Sequence, residues 1–182
     1  MAGASPKQAV ENFVGRLQRA LTCVTAAVID RQGGYDLGVI YALTVNGGEP
    51  VRLARIARPA DIAIRIAQQY RIVHAEGDRR PPQVQTVAYM YTVEDADGRE
   101  VFGYHWHPTS RSPFSLPHLH LEAGAMVGRA ELQRVHFPTG RVSVEEFLHL
   151  VIDTFDEKTR RRDWRAVLQQ RGARIELRIR TP

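Results

Sequence analysis

QVQTVAYMYTVE (83–94), DADG (95–98) and REVFGYHWH (99–107) decide the fold of this chain. The first segment is rich in β-branched and aromatic residues, the second carries turn-forming Asp and Gly, and the third alternates again. Together they predict a long antiparallel hairpin. A period of two puts Phe102, Tyr104 and Trp106 on one face of the third segment, with Val101, Gly103, His105 and His107 on the other. If the aromatic row packs on helices, both histidines face away from them.

Moving toward the C-terminus, Pro108, Pro113 and Pro117 enclose a Ser/Thr/Arg loop. Short strands are expected at 118–122 and 131–137. Ser143-Val144-Glu145-Glu146 matches the capping box and opens a helix over 143–155, with Phe147, Leu148, Val151, Ile152 and Phe155 on its buried side. A second helix is expected over 161–171, ended by Gly172. The segment 174–180 alternates Ile175, Leu177 and Ile179 with charged residues and reads as a half-buried closing strand.

Toward the N-terminus, Val10, Phe13, Val14, Leu17 and Leu21 repeat at helical spacing over 7–24, with Ser5 as cap and Pro6 at the first turn. Gly33-Gly34 breaks the chain. Segments 35–45 and 50–56 flank Asn46-Gly47-Gly48 and predict a hairpin. A short helix is expected after Pro59, with Ile62, Ile66 and Tyr70 on one side, and 74–82 reads as a polar loop. The whole, 1–182, reads as a single α+β domain: a mostly antiparallel sheet with helices from both chain ends packed on one face.

An apolar fraction of 43% fits an ordinary globular protein. No run approaches the ~18–20 apolar residues of a membrane span, and residues 1–7 carry no leader-like pattern. Cys23 is the lone cysteine, which rules out an internal disulfide and makes a reducing, cytoplasmic setting the expectation. Net charge is +5 with pI ≈ 9.8. Lys7 and Lys158 are the only lysines, so arginine supplies 23 of the 25 basic residues. Arginine's planar fork suits phosphate and base edges, which is consistent with RNA or DNA as a partner; codon bias of a GC-rich genome gives the same ratio.

The chemistry concentrates in the histidines. Five of the seven lie between His105 and His136, four of them as the pairs His105/His107 and His118/His120. In strands each pair shares a face, and an antiparallel pairing brings all four together, with His136 close enough to join. Two chemistries use such a cluster. A zinc or other divalent transition-metal site would draw on His105, His107, His118, His120 and Glu122, which has the parity of His118 and His120. Metal-free acid–base catalysis would use one neutral and one protonated imidazole, as cleavage of RNA through its 2′-hydroxyl requires, with His136 and Arg141 in support. Arg111 and Arg134 are further phosphate-steadying candidates. A structural role for the same histidines, in a non-enzymatic interaction domain, is the third reading.

The run Tyr104-His105-Trp106-His107-Pro108, then Pro117-His118-Leu119-His120, then the capped helix at 143–155, resembles a group of small, His-rich bacterial proteins. More distantly, it is similar to the TumE-type toxin components of toxin–antitoxin modules. The resemblance covers about residues 84–155. It implies a cytoplasmic toxin-like protein acting on RNA and neutralised by a DNA-binding antitoxin, and carries no catalytic assignment of its own.

Overall fold

A computed structural model describes residues 2–54, 62–74, 80–109, 114–122, 125, 135–155 and 157–169. The chain opens with helix α1 (Pro6–Leu21), then strands β1 (Ile29–Gln32), β2 (Ile40–Val45) and β3 (Val51–Arg52). The long strands β4 (Ala63–His74) and β5 (Pro82–Glu94) follow, then β6 (Glu100–Trp106), β7 (His118–Leu121) and β8 (Phe137–Pro138). Helices α2 (Val144–Phe155) and α3 (Trp164–Leu168) close the described chain. The strands form one eight-stranded sheet in the order β1-β2-β4-β5-β6-β7-β8, with β3 paired to β4 beside β2. Every named strand pair is antiparallel. This is the expected α+β architecture.

The hairpin that decides the fold forms as read. Asp95 N–H donates to the Arg99 carbonyl across the turn, and Gly98 takes φ 78°, where a side chain would be strained. Tyr89, Tyr91 and Val93 of β5 stand opposite Trp106, Tyr104 and Phe102 of β6. This aromatic face meets α2: Tyr91 lies 5.6 Å from Phe147, and Phe102 stacks on Phe155 at 6.1 Å. From the other chain end, α1 packs Val10, Phe13, Leu17 and Leu21 into the same core, where Phe13 meets Tyr70.

Both caps hold. The Ser5 side chain accepts from Gln8 N–H, with Pro6 in the first turn. At α2, Ser143 Oγ accepts from Glu146 N–H while the Glu146 carboxylate accepts from Ser143 N–H. The second C-terminal helix is shorter than expected, Trp164–Leu168, and the closing strand expected at 174–180 lies outside the described residues.

Two expectations are corrected. The helix after Pro59 is strand β4. Ile62, Ile66 and Tyr70 recur every four residues, a spacing that satisfies a strand as well as a helix. The buried set Ile64, Ile66, Gln68, Tyr70 and Ile72 shows a period of two. β4 finds β2 along one edge and β5 along the other, and that pairing overrides the local signal. Nor do β2 and β3 pair as a hairpin. Asn46, Gly47 and Gly48 all take positive φ, one left-handed residue more than a two-residue turn uses. The chain therefore leaves β2 and lays Val51 and Arg52 against β4.

Candidate functional site

Because the odd face of β6 is turned away from α2, His105 lies on the side of the sheet opposite the aromatic row. β7 carries its histidines to the same place: His118 stands directly opposite His105, and His120 opposite Gly103. β8 pairs with the first half of β7 and brings His136, the residue before it, to the group. Ring centroids separate by 4.5 Å for His105–His120, 4.7 Å for His118–His120, 4.2 Å for His120–His136 and 4.9 Å for His118–His136. His107, just past the end of β6, sits 5.9 Å from His105 and 5.6 Å from His118. All five sequence-predicted imidazoles therefore belong to one connected group.

His105, His118 and His120 converge most closely, each offering one ring nitrogen such that the three lie within 4.8 Å of one another. His118 is the fixed member. It is 2% exposed, and its Nδ1 is 2.7 Å from the Leu116 carbonyl. A carbonyl only accepts, so Nδ1 carries the proton and Nε2 of the neutral ring keeps its lone pair. That Nε2 lies 2.9 Å from His120 Nε2. Two ligands on a tetrahedral zinc with bonds of ~2.0–2.1 Å stand about 3.3 Å apart, so a few tenths of an ångström separate this pair from a coordinating geometry. A ligating imidazole whose far nitrogen donates to a backbone carbonyl is the usual support for a metal-bound ring.

Electrostatics favour the neutral form of His105, His120 and His107. Burial first, then His120, His107, His118 and His136, push His105 down to about 3. Burial, His136, His118 and His107 lower His120 to about 4. His107 is lowered by burial and by His118 and His136. Neutral imidazole is the form that binds metal.

The other candidates fall elsewhere. Arg141 does not reach the histidines. Its guanidinium stacks on the indole of Trp106 at 3.9 Å, on the α2 side of the sheet, where a cation over an aromatic face is stabilised. Glu122 follows β7 with the parity of His118 and His120, but it is outside the converging group and its N–H pairs with the Val101 carbonyl. Arg111 and Arg134 lie outside the described residues, as does most of the strand expected at 131–137.

Glu100 and Phe114 escaped the sequence reading, as did the part played by Gly103. Glu100 is displaced by a β-bulge: the register shifts between Val93 and Glu94, so Glu100 pairs with Glu94 and joins the histidine face. Unbroken alternation from Phe102 would put it on the aromatic face instead. Burial, then Glu122 and Glu94, raise its carboxyl to about 7. Gly103, a glycine inside a strand, is the residue over which Glu100 and His105 approach, and such glycines mark close approach. Phe114 stacks on His136 at 3.8 Å with rings 10° from parallel; nothing in its loop sequence announces that contact.

No family model matches this chain, and no curated protein or solved structure is significantly similar to it.

Proposed function

We propose that this protein carries a transition-metal centre, with His105, His118 and His120 holding a zinc-type divalent ion. The observation that supports it is the convergence of three ring nitrogens within 4.8 Å, one of them oriented by the Leu116 carbonyl. A buried polar atom in the same cluster with no hydrogen-bond partner among the described residues, His136 Nδ1, adds to it, because buried polar groups are otherwise satisfied. A three-histidine site leaves a coordination position for water, and a bound divalent ion lowers that water's pKa to about 7. Hydrolysis is the chemistry such a site supplies. The test is a zinc titration followed by calorimetry. One equivalent is expected, reduced to background in His118→Ala/His120→Ala checked for folding by circular dichroism; an unchanged isotherm in that variant contradicts the assignment.

RNA cleavage by a toxin-like, cytoplasmic protein, held in check by a DNA-binding antitoxin, is the second reading. The resemblance over residues 84–155 and the arginine-rich charge of +5 favour it. The metal-free version needs a protonated imidazole near neutrality, which the depressed values of His105 and His120 disfavour. A metal-dependent version draws on the same triad. Its check is growth arrest on expression, relieved in the double histidine variant.

A further inference from the structure

Three buried polar atoms on the histidine face have no hydrogen-bond partner among the described residues and cluster around one glycine: Glu100 Oε1, His105 Nε2 and Thr92 Oγ1. Thr92 is the cross-strand partner of Gly103. A Cβ added to Gly103 would fall 2.5 Å from Glu100 Oε1, 2.7 Å from His105 Nε2 and 3.0 Å from Thr92 Cγ2. The carboxylate and the imidazole thus meet across the one position in β6 that has no side chain. They stand 3.9 Å apart, two unsatisfied groups of complementary kind facing one another.

Arg65, the cation nearest in the strand ladder, is already committed to Glu94 at 2.9 Å and to the Gly48 carbonyl. Among the described residues the polar hydrogens left for Glu100 are those of Thr92 Oγ1 and His105 Nε2, and His105 Nε2 stands 3.9 Å from Glu100 Oε1, about 1 Å beyond hydrogen-bond length. Neutral imidazole carries one proton, and placing it on Nε2 leaves the Nδ1 lone pair free.

We propose that Glu100 is the positioning residue of this site: its carboxylate accepts from His105 Nε2–H, fixes the tautomer and orientation of that ring, and leaves Nδ1 to the metal. This is the carboxylate–histidine arrangement that supports metal ligands, here built across Gly103. The proposal rests on the metal reading for its consequence, although the Glu100–His105 pairing is decided without it.

The experiment uses the full chain with 15N-labelled histidine. Ring-nitrogen shifts of His105 in metal-free protein at pH 8 report which nitrogen is protonated, and zinc titrations report affinity. The expected result is an Nε2–H tautomer in the wild type, lost in Glu100→Ala, with zinc bound 10- to 100-fold more weakly. Glu100→Gln keeps an acceptor oxygen at similar volume; it retains the tautomer and rescues part of the affinity. Gly103→Ala, which forces the two groups apart without changing charge, behaves like Glu100→Ala. A His105 tautomer indifferent to Glu100→Ala and Gly103→Ala, or an Nδ1–H tautomer in the wild type, overturns the pairing. A tautomer that responds in a protein that takes up no zinc upholds the pairing and removes the metal reading instead. Unaltered zinc affinity in Glu100→Ala removes the positioning role.

Discussion

His105 and His120 make the protein sensitive to acid in a direction that follows from their surroundings. Both are depressed from 6.5, to about 3 and about 4, so the unfolded chain takes up their protons first as the pH falls. Glu100 works the other way: raised from 4.5 to about 7, it holds a proton in the folded state that the unfolded chain releases. Near pH 5.5 His105 and His120 gain protons on unfolding and the Glu100 carboxyl loses one, a net uptake of about one proton, to which the lowered His107 adds in the same direction. Metal-free protein therefore loses stability as the pH drops from 6.5 toward 4.5. Urea midpoints at pH 7.5, 6.0 and 5.0 should fall in that order, and Glu100→Gln should steepen the decline by removing the opposing group. A midpoint flat across that range would mean that the imidazoles are solvated rather than crowded together.

At the scale of elements, the aromatic contact between sheet and α2 carries the packing. Phe147 is fully buried against Tyr91, so Phe147→Ala is expected to cost about 3–5 kcal/mol, measured by urea unfolding. Ser143→Ala removes one half of the reciprocal cap and should cost about 1 kcal/mol in the same assay. The elements that the sequence announced are those with an unambiguous period or cap: α1, α2 and the β5–β6 hairpin. β4 was misread because a spacing of four cannot tell strand from helix, and its identity is conferred by neighbours on both edges. The histidine cluster was legible because i and i+2 share a face whatever the register. Glu100 was not, since a bulge inverts parity at one point and no residue type marks where it falls. Arg141 was placed by proximity in sequence to His136, whereas β8 and the Trp106 stack carry it to the opposite side of the sheet.

The whole molecule divides its labour between two faces of one sheet. Helices from both chain ends cover the aromatic face and build the core, while the other face collects the imidazoles. None of the described helices is long and apolar enough to cross a membrane. Because a ligand that binds only the folded state stabilises it by mass action, zinc at 100 times its Kd should add about 2.7 kcal/mol to unfolding, and nothing in His118→Ala/His120→Ala. The most direct test of the central claim is X-ray absorption at the zinc edge of the loaded protein. The account predicts a first shell containing three imidazole nitrogens at about 2.0–2.1 Å, with the multiple-scattering signature of histidine rings, falling to one imidazole or none in the double variant. A shell of water and carboxylate oxygens without imidazole scattering, or a spectrum the same in both proteins, would contradict it.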